Sequence, residues 1–231
     1  MVEDLLELFC RAEGLFVDRA AFRAFEEALY EANARMNLTR VPREECALRH
    51  FVDSLLPQRW IPIGADVLDI GTGPGFPAWP LACARPDLRV VALDSSGKML
   101  GFLRSQPLPN LEVVQDRAES WAVREAFDVV TGRAIAPLGV QLELSAPPCR
   151  IGGLVMPFRT PADSEAVERF PAQVLGLSLE SVERASLPVT SVSLAPPEAH
   201  VVRLFPRFRK IRQTPAHHPR PWPEIRKRPL G

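Results

Sequence analysis

The chain has 231 residues, 46% of them hydrophobic and 24% charged, with 28 basic residues against 28 acidic ones. That composition excludes a disordered chain, and no apolar run approaches the roughly 20 residues that a membrane-spanning helix needs. The acidic start Met1-Val2-Glu3-Asp4 lacks the basic lead and apolar core of a secretory signal, so a cytoplasmic protein is expected. Cys10, Cys46, Cys83 and Cys149 lie far apart, which predicts reduced packing residues and neither a metal site nor disulfides.

Leu5, Leu6 and Phe9, then Phe22, Phe25 and Leu29, recur at helical spacing. Asp18 is placed to cap the second helix, and Pro42 suits the first turn of a third that runs to about Leu55. Residues 1–60 contain no nucleotide loop and read as a helical cap. From residue 65 short β-rich runs follow at 66–70, 89–94, 111–115, 127–131, 152–158, about 178–187 and 199–205. Strand–helix alternation predicts an α/β domain over residues 61–206, built on a Rossmann-like, mostly parallel, doubly wound sheet. Such sheets hold ligands beyond the carboxyl ends of their strands, at the switch point beside the first one.

Six prolines from Pro206 onward predict an extended tail over residues 207–231 rather than another layer. Nine of the 28 basic residues but one of the 28 acidic ones fall within 203–228, leaving the rest of the chain at a net charge of −8. An acidic body with a basic end fits a polyanionic partner or a solvated terminus, and charge alone does not separate the two.

The first strand runs into Val67-Leu68-Asp69-Ile70-Gly71-Thr72-Gly73-Pro74-Gly75-Phe76-Pro77. A dinucleotide loop wants glycine where Phe76 stands, and Phe76 with Pro77 and Pro80 makes a poor pyrophosphate cradle. S-adenosyl-L-methionine carries no phosphate. Gly71, Gly73 and Gly75 let the backbone approach its methionyl part, and Asp69 is placed to meet its ammonium directly or through water. Asp94, ending the second strand, can accept from ribose hydroxyls of either cofactor. The loop favours the methyl donor over NAD, with a ligand-free structural turn as the remaining alternative.

The ordered set of motifs is more specific. It comprises Asn37-Leu38-Thr39, His50-Phe51-Val52-Asp53-Ser54-Leu55, the glycine loop, Asp94-Ser95 with Lys98, and Phe102-Leu103. It continues through Arg117-Ala118-Glu119, Arg133-Ala134, Ala136-Pro137-Leu138, His200-Val201-Val202 and Lys227-Arg228-Pro229-Leu230. From about Asn37 to its end the chain resembles the small-subunit ribosomal RNA guanine-N7 methyltransferases of the glucose-inhibited-division B family. The resemblance implies a class I, seven-stranded methyltransferase fold, S-adenosyl-L-methionine as donor, and a guanosine in the decoding-region loop of 16S rRNA as acceptor. It further implies that Gly71, Phe76, Ala118, Glu119 and Arg133 contact the donor, with Ala118 and Glu119 beside the adenine.

The sequence departs from the family pattern at Ala78, commonly glycine, and at Met99, commonly lysine. It departs again at Met156-Pro157-Phe158-Arg159, where a Lys-Gly pair is usual. Arg159 is the candidate to replace that lysine toward rRNA, and Arg207, Arg209, Lys210, Arg220, Lys227 and Arg228 are the tail's candidates.

Guanine N7 has a free lone pair and loses no proton, so methyl transfer onto it is an in-line displacement without a covalent intermediate. Pro148-Cys149 precedes the fifth strand and is misplaced for a pyrimidine-attacking nucleophile. Arg133 is the expected catalytic residue, its planar fork fitting the donor's carboxylate or the guanine O6 edge. His50 and Asp53 are expected to pair or to pack on the loop, Asn37 to cap a turn, and Trp79 to be buried. Trp222 is available to stack on bases. The expected partner is 16S rRNA or the small ribosomal subunit, with no membrane, metal or obligate protein partner. The rivals are a methyltransferase of this fold acting on another RNA or a small molecule, and a non-catalytic ribosome-binding protein.

Overall fold

The computed structural model describes residues 2–133, 135–187 and 202–231. Helix α1 (Val2–Glu13) precedes α2 (Arg19–Met36), which Asp18 caps by accepting from the Ala21 N–H at 3.0 Å. Asn37 ends α2 at φ 50°, in the left-handed region that asparagine tolerates better than most residues. The third helix is not the continuous run expected from Pro42. It opens as a 3-10 turn (Arg43–Glu45), widens to a π-helix (Ala47–Val52), passes through one α turn, α3 (Asp53–Leu55), and tightens again over Leu56–Trp60. The wide turn buries His50, Phe51 and Val52 side by side, which brings a polar ring inside along with apolar neighbours.

Seven strands follow. β1 (Asp66–Ile70), β2 (Arg89–Asp94), β3 (Leu111–Gln115), β4 (Phe127–Gly132) and β5 (Cys149–Pro157) pair in parallel. β6 (Leu177–Ser186) and β7 (Val202–Lys210) pair antiparallel to each other, and β7 lies antiparallel to β5. The order is β3-β2-β1-β4-β5-β7-β6, so the winding reverses between β1 and β4. The helices α4 (Ala78–Ala84) and α5 (Gly97–Arg104) cover one face, and α6 (Leu138–Ser145) covers the other. Val67, Val129 and Leu154 face the first layer while Leu68, Val130 and Val155 face the second. Burial on both sides is why these strands read as unbroken apolar runs.

The N-terminal helices dock on the first layer through aromatic rings. Phe25 meets Phe51, Phe76, Trp79 and Phe102 at centroid separations between 4.2 and 6.2 Å. The cap and the sheet therefore share one core, and Trp79 is buried in it as expected.

The tail departs most from expectation. Residues 207–210 complete β7. A short helix, α7 (Ser164–Arg169), lies on the β5–β6 connection, and the last helix, α8 (Trp222–Lys227), falls within the tail itself. Ile225 of α8 is fully buried against Val140 and Leu144 of α6. A Cβ on Gly139 would lie 1.7 Å from the Leu230 carbonyl oxygen, so the returning chain passes where only glycine leaves room. The prolines shorten the helix, but Ile225 and Leu230 supply the apolar surface that docks the segment. Of the strand expected at 199–205, residues 199–201 lie outside the described residues, as do Ala134, His200 and Val201 of the motifs.

Candidate active site

The loop between β1 and α4 sits at the switch point. Gly71, Gly73 and Gly75 all have positive φ, and the loop hangs from the next strand by Gly71 N–H and Thr72 N–H bonds to the Leu93 carbonyl, at 2.7 and 3.2 Å. Asp94 fixes the loop further: one carboxylate oxygen accepts from Gly73 N–H at 2.9 Å and the other from Ser96 N–H at 2.8 Å. Asp69 is wholly buried beneath. Its Oδ2 accepts the Ala78 N–H at 3.2 Å, while Oδ1 has no hydrogen-bond partner among the described residues. Burial pushes its carboxyl up to about 7, against the lowering influence of the Thr72 hydroxyl and the Ala78 N–H.

A cleft of about 310 Å³ opens above, walled by Gly71, Asp94, Ala118, Glu119, Ile135 and Trp222 among others. It brings together four of the expected donor residues: Gly71, Asp94, Ala118 and Glu119. Gly75 and Phe76 are buried outside this cleft, Gly75 against Leu103 and Trp79 and the Phe76 ring against Phe25 and His50 of the cap. The Phe76 ring stacks flat on His50, with centroids 4.1 Å apart and planes 3° off parallel. The expected packing of His50 on the loop is thus present. Burial and the charges of Arg133 and Arg49 bring the His50 ring down to about 3, so it is neutral at any ordinary pH.

Arg133 does not extend a free fork. Its Nη1 donates to the Arg49 carbonyl at 2.9 Å and to Asp53 Oδ2 at 3.0 Å, and its Nη2 donates to His50 Nδ1 at 3.2 Å. Its guanidinium carbon lies 5.4 Å from the Phe76 ring centroid. Asp53 is almost wholly buried and is claimed a second time, by Arg203 Nε at 2.8 Å. His50 and Asp53 therefore converge on Arg133 rather than on each other. Arg203 is a candidate residue of this cluster that sequence reasoning misses. Its charge counts toward the basic tail, and only the antiparallel run of β7 carries it to the carboxyl ends of the parallel strands.

The same topology sets where the candidate RNA residues lie. β7 ends at the opposite edge, where Lys210 is buried with its ammonium on the Ala146 and Cys149 carbonyls and the Thr214 hydroxyl. Arg209 forks onto Glu180, and Arg207 lies between Glu180 and Glu183. Arg159 is buried and bonded to the Ala136 carbonyl and Gln141, so it pins the loop after β4 instead of reaching out. Arg220 is spent on buried Glu143. Lys227 and Arg228 remain exposed.

Comparison with known proteins is decisive. The profile of the GidB family, described as rRNA small subunit methyltransferase G, matches residues 18–192. The chain belongs to this family. It is 36% identical to the ribosomal RNA small subunit methyltransferase G of Desulforamulus reducens, covering 87% of this chain and 85% of that one. The Pelotomaculum thermopropionicum protein of the same name is 34% identical, with 95% of each chain covered. Among solved structures the likeness is one of fold. M. jannaschii TYW2, solved in complex with AdoMet, superposes with a TM-score of 0.51 at 18% identity, over 64% of this chain and 69% of that one. P. horikoshii TYW2 gives 0.53 at 13% identity, over 69% and 62%. The fold is that of class I S-adenosylmethionine-dependent methyltransferases. The GidB-family cleft fits that cofactor on its own terms: the carboxylates of Asp94 and Glu119 stand on its wall, and its volume is of ligand size.

Proposed function

We propose that the chain transfers the methyl group of S-adenosyl-L-methionine to N7 of a guanosine in the decoding-region loop of 16S rRNA, free or in the small ribosomal subunit. The observation that carries this is the switch-point cleft, bounded by the glycine loop, Asp94 and Ala118–Glu119, in a chain of a methyltransferase family. When bound, the donor supplies an electrophilic methyl group on a cationic sulfur. Guanine N7 loses no proton in accepting it, so the protein's task is positioning. Asp69 and Asp94 hold the donor's ammonium and ribose. Arg133, set against Phe76 between the cap and the loop, orients the guanine or the donor's carboxylate. Asp53 against Arg133 and Arg203 leaves net positive charge at this edge, which draws a phosphate backbone. Exposed Lys227 and Arg228 on the C-terminal segment are further candidates for phosphate contact. A ribosomal substrate places this work in the cytoplasm.

The test is incubation of the protein with labelled donor and small subunits lacking the modification, followed by chemical cleavage at 7-methylguanosine. Label at one guanosine of the decoding-region loop is expected. Label on another base, or none, would sink the assignment.

A further inference from the structure

We propose that Trp222 is a binding wall of the donor cleft that receives the donor's flat heteroaromatic end, and that the C-terminal segment is docked to hold it there. This deepens the proposed function and rests on it. Trp222 lines the same cleft as Asp94, Ala118 and Glu119. Its indole packs on the small cluster of Val140, Leu144 and Ile225, with Ala118 alongside. The Arg117 guanidinium lies 5.9 Å from its ring centroid. An indole beside Ala118 and Ile135, rimmed by the carboxylates of Asp94 and Glu119, offers a π surface together with acceptors for ring amines and ribose hydroxyls. That is the chemistry of an adenosine.

The docking is built rather than incidental. Glu143 on α6 is completely buried, and His218 and Arg220 of the C-terminal segment both reach it. The His218 ring lies at 2.8 Å, Arg220 N–H at 3.0 Å, Arg220 Nε at 2.8 Å and Arg220 Nη2 at 2.6 Å. Burial alone would raise the Glu143 carboxyl, but the Arg220 and His218 bonds hold it down at about 2. Arg220 also donates to the Arg228 carbonyl at 3.0 Å, which closes the segment around α8. Undocking would take from Glu143 the His218 and Arg220 bonds that offset its burial, which favours the segment staying in place as a wall. Arg220 and Glu143 are thus positioning residues for Trp222.

The experiment uses the full-length protein carrying 5-fluorotryptophan, with the Trp222 resonance assigned from a Trp222→Phe variant. Saturation with S-adenosylhomocysteine is expected to shift that resonance. Calorimetry is expected to show donor affinity about tenfold weaker in Trp222→Ala, the scale of removing one stacked ring, and close to wild type in Trp222→Phe. Arg220→Ala is expected to weaken donor binding and raise the donor KM while leaving kcat at saturating donor near wild type. An unmoved resonance, with wild-type affinity in Trp222→Ala, overturns this assignment while the proposed function stands. If the wild-type chain itself binds neither donor nor product, both fall.

Discussion

Arg133 leaves the end of β4 with its guanidinium bonded to three groups of the cap, and this changes what its removal tests. Arg133→Ala is expected to cut turnover by more than tenfold, because the guanidinium beside the loop is lost. It is also expected to destabilise the fold by about 1–3 kcal/mol, because Asp53 keeps Arg203 but loses half its compensation. A double-mutant cycle with Asp53→Ala, read by urea unfolding, checks the coupling; additive effects would show that the pair contributes nothing. Asp69 makes a second prediction. Its folded-state carboxyl stands at about 7 against an ordinary 3.8, so between those values the native state holds a proton that the unfolded chain has released. Stability from this group is present below pH 3.8, falls as pH rises through about 7, and stays low above. Asp69→Asn should flatten that part of the stability profile relative to wild type, measured by urea unfolding at stepped pH.

At the scale of elements, the close pass of the C-terminal chain over α6 is the sharpest constraint. Gly139→Ala puts a methyl group 1.7 Å from the Leu230 oxygen, so either the terminus lifts or α6 shifts. The expected cost is about 1–3 kcal/mol, with faster proteolytic cleavage in residues 211–231. Unchanged protease resistance would show that the terminus relaxes without leaving. The aromatic cluster around Phe25 is legible in part from sequence, since Phe22, Phe25 and Leu29 share a helical face. Its partners are not, because Phe51, Phe76 and Trp79 come from other segments. The mixed third helix escapes the spacing of its residues for a related reason: the π turn answers to burial of His50 against Phe76, a tertiary packing with no local signature.

At the scale of the molecule, the basic C-terminal region divides between structure and surface. Truncation after Phe205 removes Phe208 from the core and takes His218 and Arg220 from Glu143, so it is expected to abolish cooperative thermal unfolding and not merely RNA binding. A sharp unfolding transition in that truncation would contradict the docked segment. Charge removal at Lys227 and Arg228 is the cleaner probe. Substituting both with glutamine should leave the melting temperature within a degree or two and reduce the salt dependence of RNA binding by about one unit of slope for each phosphate the two side chains neutralise. An unchanged slope would remove them from the RNA surface.

The strand runs, the glycine loop and its carboxylates were determined by the sequence alone, because each rests on local chemistry: apolar burial on both strand faces, positive φ at glycine, and an acid at a strand end. The family motifs likewise named Ala118, Glu119 and Arg133 from their order along the chain. Only the tertiary structure decided which way each residue faces. The antiparallel run of β7 sends Arg203 beside Asp53 and Lys210 into the interior, and the fold of residues 211–231 over α6 brings Trp222 to the switch-point cleft. Those outcomes depend on pairings between residues far apart in sequence, such as Arg133 with Asp53 and Arg220 with Glu143. Charge counts and spacing carry no record of such pairings, since the residues meet only after the sheet has set their places.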